Sequence, residues 1–220
     1  MKKCISFLLI TTIVFSSVVV SSAYSSSNAV NYSNTYADSP NYLNSLGSGY
    51  SYFGDHDCTN FVSQCLYAGG LSQDSTWYSY VEWHSNVPSR VNSNAWVNAN
   101  ALKNYLKDSG KATKIGSWSK NGTPQPYQTY AYVKNSNNLT TSNAGKVILF
   151  YDWEGEGTMN HSAFFVLNNA TSTISYEGSG DLINQHSPLR KKVLWRPDLR
   201  QSNGNSTYLY STRVYGFQLN

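Results

Sequence analysis

Apolar positions run almost unbroken from Ile5 to Val20, and no later stretch of the chain is apolar for that long. From Cys58 to Ala68 the spacing is helical: Phe61, Val62, Cys65 and Leu66 form one stripe. Asp57 is the N-cap candidate, and Gly69-Gly70 supplies the stop. Ala95 to Lys107 reads as a second helix, with Ala95, Trp96, Ala99, Leu102 and Leu106 on one side and Gly110 beyond its end.

After Gly145 the pattern changes to strands. Lys146 to Tyr151 is one, the turn Glu154 to Gly157 follows, and His161 to Leu167 is the next. Thr173 to Tyr176 and Leu182 to His186 are short candidates, Val193 to Arg196 is a weaker one, and Arg213 to Leu219 closes the chain. The rest reads as connection. Residues 24–35 look like a loose leader, Asn41 to Phe53 like a loop, and Trp77 to Asn94 like an irregular aromatic stretch. Residues 111–145 carry at most one short element. Helices followed by an antiparallel sheet is an α+β layout, with one domain expected over residues 24–220.

The first apolar run changes the picture of where the chain works. Lys2 and Lys3 precede it, and Ser21-Ser22-Ala23 ends it in small side chains. That is the form of a secretory signal peptide over residues 1–23, cleaved after Ala23. A retained membrane anchor is the alternative, although the run falls short of the roughly 20 residues that a spanning helix needs. Of the 16 basic side chains two leave with the leader, so the balance against 12 acidic ones falls from +4 to about +2. A charge that small does not point to nucleic acid as a partner. The expected state is a secreted monomer, extracellular or associated with the cell wall, without stable membrane insertion.

Cys4 leaves with the leader, so the mature chain keeps Cys58 and Cys65. Seven residues apart on a helix, their Cα atoms lie about 10.5 Å apart along the axis, whereas a disulfide needs roughly 7 Å or less. Two free thiols are therefore expected, in different surroundings. Cys58 falls in the first turn, where unpaired N–H groups and the helix dipole favour a thiolate. Cys65 falls on the buried stripe near the other end, where a thiol stays protonated. A reactive thiol needs an imidazole beside it. His161, opening a strand just after a glycine-bearing turn, is the candidate that a sheet edge could present to a helix N-terminus. The histidines and carboxylates show no usual ligand spacing, so no metal and no cofactor are expected.

The stretch Asp57-Cys58-Thr-Asn-Phe-Val-Ser-Gln-Cys-Leu-Tyr-Ala-Gly-Gly70 resembles the signature of the putative amidase domain family of secreted Gram-positive proteins. Val147 to Trp153, Asn160 to Val166 and Leu182 to Ser187 resemble that family's later strands. Gly145-Lys146 departs from the Gly-Asp often found ahead of the first sheet strand, and the stretch between Leu167 and Leu182 looks long. The resemblance implies a papain-like fold related to the NlpC/P60 peptidases, with N-terminal helices packed on an antiparallel sheet. It implies Cys58 as nucleophile, His161 as general base and acid, and His186 as the group orienting His161, with Asn184 as the alternative. The oxyanion would be met by the Cys58 backbone N–H and one upstream donor, for which Tyr52 and His56 are the candidates by position. The implied activity is hydrolysis of peptide or peptidoglycan amides through a thioacyl-enzyme. A non-catalytic wall-binding or glycan-binding module and a cysteine acyltransferase are the competing readings. The basic run Arg190, Lys191, Lys192, Arg196 and Arg200 reads as a solvated face.

Overall fold

The computed structural model describes residues 23–119, 139–175, 178–195, 199–202, 205–208 and 212–220. The expected signal peptide, apart from Ala23, lies outside them. No helix among the described residues is long and apolar enough to cross a membrane.

The architecture is α+β. Helices α1 (Ser26–Tyr36), α2 (Cys58–Ala68), α3 (Asn94–Val97) and α4 (Ala99–Asp108) come early in the chain. Between α2 and α3 lies the hairpin of β1 (Ser79–His84) and β2 (Val87–Asn92). The remaining strands are β3 (Ala112–Ser119), β4 (Val147–Asp152), β5 (His161–Thr171), β6 (Ser179–Gln185), β7 (Arg190–Leu194), β8 (Leu199–Ser202), β9 (Asn205–Tyr208) and β10 (Arg213–Leu219). Six of them form one antiparallel sheet in the order β3-β10-β4-β5-β6-β7.

The sheet has an apolar layer on each face. Ile148, Phe150, Phe164, Val166 and Leu182 pack toward the helices with Phe61, Val62, Cys65 and Leu66 of α2. Val147, Leu149, Tyr151, Ala163, Phe165 and Ile183 pack on the other side with Trp153 and Trp195. Strand β4 is buried at every position, which is why its sequence is a continuous apolar run rather than an alternation.

Helix α2 matches its expected bounds. It stops as a Schellman turn: the Gly70 N–H donates to the Tyr67 carbonyl (2.9 Å) and the Leu71 N–H to the Leu66 carbonyl (3.0 Å), with Gly70 at φ 96°. Phe61, Val62, Cys65 and Leu66 have no exposed surface.

Four expectations change. Residues 24–35 are not loose, because α1 wedges between α2 and β6. Ala29 and Ser33, four residues apart, are its fully buried positions, and its C-cap Ala37 continues the stripe. The Tyr32 hydroxyl donates to Gln64 Oε1 (2.8 Å), and Asn184 Nδ2 donates to Ser33 Oγ (2.6 Å). A contact stripe made of alanine and serine carries little hydrophobic signal, which is what hid the helix. Trp77 to Asn94 contains the β1–β2 hairpin, turned by Ser85 and Asn86 at φ 49° and 68°. The helix expected over Ala95 to Lys107 breaks at Asn98, which is extended (φ −113°, ψ 126°) and accepts the Ala101 N–H at 2.9 Å, so it caps α4. Residues 111–145 hold a full strand, β3, an edge strand whose polar alternation resembles a loop. Of the short candidate Thr173 to Tyr176, Thr173 and Ile174 form a bend and Tyr176 lies outside the described residues, while Val193 and Leu194 of the weaker candidate end β7 and Arg196 lies outside the described residues.

One buried aromatic knot ties α2, α3 and α4 together. Trp96 stacks on Trp77 (centroids 4.7 Å apart) and donates from Nε1 to Asn60 Oδ1 (2.9 Å), while Trp77 Nε1 donates to Ser63 Oγ (3.0 Å). Trp96→Ala should lower unfolding free energy by about 3–5 kcal/mol through the cavity and the orphaned Asn60. Urea unfolding followed by circular dichroism measures this.

Candidate active site

Helix α2 begins at Cys58 and strand β5 begins at His161, and the fold brings these two ends together. Thr59 and Ser162, one residue further along each element, hold them in place: Ser162 Oγ donates to Thr59 Oγ1 at 3.1 Å. That leaves the Thr59 hydroxyl proton free to turn to Cys58 Sγ, which lies 3.6 Å away. Cys58 is 8% exposed and His161 6%, enough for one edge of each to reach a cleft.

The histidine side is built by the β4–β5 turn. The Asp152 carboxylate accepts the backbone N–H groups of Gly155 (2.8 Å), Glu156 (3.0 Å) and Gly157 (2.8 Å), which closes the loop. The Asn160 N–H donates to the Tyr151 carbonyl (2.7 Å), and Asn160 Oδ1 accepts the Trp153 N–H (3.0 Å). Tyr151, directly across the ladder from His161, and Trp153 flank the imidazole, with ring centroids 5.3 and 5.8 Å away.

The thiol feels opposing forces. Burial pushes it up, but the His161 charge, a hydrogen bond with the same ring, the Thr59 hydroxyl and the Ser162 backbone together bring it down from 9.0 to about 7. Cys65 has only burial of consequence and is held well above the ordinary thiol value. Both cysteines are free.

The group that reaches His161 from behind is Gln185, whose Oε1 lies 3.3 Å from His161 Nε2. Two-residue alternation explains this. Phe165 pairs with Ile183, so His161, Ala163 and Phe165 share a sheet face with Ile183 and Gln185. Asn184 and His186 belong to the opposite face. Asn184 Nδ2 donates to Ser33 Oγ and to Asn34 Oδ1 (2.9 Å), and its Oδ1 accepts the Lys192 N–H (2.6 Å). His186 is 1% exposed and stacks on Phe61 (4.1 Å). Its Nδ1 lies 2.5 Å from Asp57 Oδ2 and its Nε2 2.8 Å from the Tyr36 carbonyl. Neither residue expected as the orienting group thus has a ring or amide atom turned to His161. The signal that would have found Gln185 was the β5–β6 register, which the long stretch between Leu167 and Leu182 obscured.

Asp57 occupies the N-cap position but spends its side chain elsewhere. Its Oδ1 accepts the Phe53 N–H (2.9 Å) and Asn60 Nδ2 (2.8 Å), and its own N–H donates to Ser187 Oγ (2.8 Å). The approach loop to Cys58 is thereby clamped to the β6–β7 turn. Tyr52 rests edge-on against His186, whereas His56 lines the cleft. The His56 backbone N–H is taken by the Phe53 carbonyl (3.1 Å). The cleft measures about 560 Å³ and is walled by Asp55, His56, Val97, Ala99, Trp153 and Met159 around Cys58 and His161. Of the basic run, Lys191 pairs with Asp38 (3.7 Å) and Arg190 lines a small cavity of about 40 Å³ behind His161. Arg196 and the Arg200 side chain lie outside the described residues.

Comparison with known proteins identifies the family of the chain. The family model described as a putative amidase domain matches residues 23–210. Uncharacterized protein YjcM of Bacillus subtilis (strain 168) is 31% identical over 160 residues, covering 72% of this chain and 32% of that protein. Uncharacterized protein YhbB of the same organism is 26% identical over 132 residues, covering 57% of this chain and 33% of that protein. The chain therefore spans about a third of the length of these relatives. No solved structure gives a significant match.

The two thiols should part company under iodoacetamide. Cys58 alkylation should rise through a midpoint near pH 7, while Cys65 stays unlabelled in the folded protein. In His161→Ala only the Thr59 hydroxyl and the Ser162 backbone still oppose burial, and the Cys58 midpoint should move well up from its wild-type position. Peptide mapping by mass after timed labelling reads both.

Proposed function

Because the chain belongs to the putative amidase domain family, we propose that it hydrolyses amide bonds with Cys58 as nucleophile and His161 as general acid and base. The observation that carries this reading is the thiol brought to about 7 by a histidine at the start of the neighbouring strand. A thiol so tuned is substantially thiolate at neutral pH, yet remains basic enough to attack a carbonyl.

In the first half-reaction the Cys58 sulfur bonds to the amide carbon. Negative charge then develops on the carbonyl oxygen at the N-terminus of α2, where the Cys58 N–H and the helix dipole are directed. His161 gives its proton to the leaving nitrogen as the C–N bond breaks, leaving a thioacyl-enzyme. In the second half-reaction His161 removes a proton from water, which attacks the thioester and releases acid and free thiol. Gln185 Oε1 accepts the His161 Nε2–H, keeping that tautomer and leaving Nδ1 to serve the sulfur. In this reading Gln185 takes the orienting role that the family resemblance implies for His186 or Asn184. His186 becomes a structural partner of Asp57.

A helix-borne cysteine, a strand-borne histidine and a polar residue on the next strand support kinship with papain-like and NlpC/P60 hydrolases. The secretory form of residues 1–23 and the family resemblance favour peptidoglycan stem peptides, or their junction to sugar, as the substrate outside the cell. The pairing of Cys58 with His161 favours this reading over a non-catalytic module, because a binding surface has no need of a tuned thiol.

Incubating the protein with purified cell-wall fragments and weighing the released peptides tests the reading. Cys58→Ala should cut release by at least about a thousandfold, and equal release would remove the assignment. Gln185→Ala should slow turnover by about a hundredfold through loss of ring orientation, with unchanged unfolding in urea. His186→Ala should do the reverse, costing about 3–5 kcal/mol of stability by leaving Asp57 buried without its partner. The opposite pattern would return the orienting role to His186.

A further inference from the structure

A second pocket of about 220 Å³ adjoins the cleft and has a different character. Its floor is Met159 and Phe217, both buried, with half-buried Tyr215 beside them, and its rim carries Lys103, Lys107 and Lys114. Met159 also lines the cleft that holds Cys58, so one side chain is common to both. Helix α4 supplies the other shared wall. Ala99 lines the cleft, and Lys103 and Lys107 follow at four-residue intervals on the same helical face, about 6 and 12 Å further along the axis. The cleft that holds the thiol and the pocket rimmed by three ammonium groups therefore meet at Met159, with α4 running along both.

The three ammonium groups are only partly offset by nearby carboxylates. Lys107 pairs with exposed Asp108 at 3.1 Å. Lys114 lies over the Tyr215 ring (4.7 Å), and among the described residues no carboxylate forms an ion pair with it or with Lys103. Asp152 acts on Lys103 only at longer range, its own oxygens being bound to backbone N–H groups of the β4–β5 turn. Burial first, then the charge of Lys107, press on the Lys103 ammonium, and the charges of Asp108 and Asp152 offset only part of this, so its ionised form stays disfavoured. An incoming anion would relieve that pressure.

We propose that this pocket is a substrate subsite for a carboxylate on an aliphatic arm, as on a glutamyl residue, in the same substrate chain as the amide at Cys58. The methylene arm would lie on Met159 and Phe217 while the carboxylate meets the lysines. The proposal deepens the hydrolase reading and rests on it for the position of the scissile bond.

The test uses the Cys58→Ala protein, so that binding is read without turnover. Met159 is the sole methionine besides Met1, and its labelled methyl group reports on the pocket by nuclear magnetic resonance. Pentaglutamate should shift that methyl signal and bind more weakly as salt rises from about 50 to about 300 mM. Pentaglutamine should not shift it. Lys103→Gln and Lys114→Gln should each weaken pentaglutamate binding about two- to fivefold. Equal binding of pentaglutamine, no methyl shift with either peptide, unchanged affinity in the lysine variants, or tighter binding of inorganic phosphate would each overturn the subsite. Loss of hydrolysis chemistry with pentaglutamate binding intact would remove the mechanism and leave the anion site standing.

Discussion

A sulfur as enclosed as that of Cys58 would remain protonated at neutral pH unless a positive charge lay beside it. Burial acts on Cys58 and Cys65 in the same direction, and both belong to the same helix. What separates them is His161 at one end of α2 and an apolar layer at the other. The reactivity proposed for Cys58 depends on that single juxtaposition of helix start and strand start.

Much of the fold serves to keep the two ends in register. The Ser162–Thr59 hydroxyl bond ties β5 to α2 beside the sulfur. Asp152 folds the turn that delivers His161, and Tyr151 and Trp153 confine its ring. On the helix side, Asp57, His186 and Ser187 clamp the approach loop, and the Tyr36 carbonyl brings the end of α1 into the same cluster. A buried carboxylate next to Cys58 would oppose a thiolate if it faced the sulfur. Its oxygens are instead directed to His186, Asn60 and the Phe53 N–H, away from the reacting edge.

How much of this was legible in the sequence depended on the physical signal each element carries. Helix α2 and strands β4 and β10 announced themselves because large apolar side chains report burial directly. Helix α1 fully buries only alanine and serine, with Val30, Tyr32 and Tyr36 half-covered, and β3 is a polar edge strand, so neither stands out from a loop. Cys58 and His161 could be picked out because helix starts and strand starts are where such chemistry is placed, and the structure does bring them together. Gln185 could not, because its identity depends on strand register. A shift of one residue exchanges the faces of β6, putting Asn184 and His186 where Ile183 and Gln185 stand. Register in turn depends on where the long β5 strand bulges, and the structure records irregularities on both sides of Leu167.

Helix α4 links the two cavities. It begins at the cleft wall with Ala99, capped by the Asn98 side chain that interrupts the expected longer helix. Its exposed face then carries lysines away from the thiol. The break at Asn98 therefore sets where α4 starts along the two cavities as well as the end of α3.

The claim on which all of this turns is that the Cys58 sulfur becomes covalently acylated during turnover. Rapid acid quenching of the protein with cell-wall peptide fragments, followed by intact-mass measurement and peptide mapping, addresses it directly. The account predicts a transient, hydroxylamine-sensitive acyl adduct on the peptide carrying Cys58 and on no other. Fragment release while that sulfur stays unmodified at every quench time, or an adduct mapped to another residue, would contradict it.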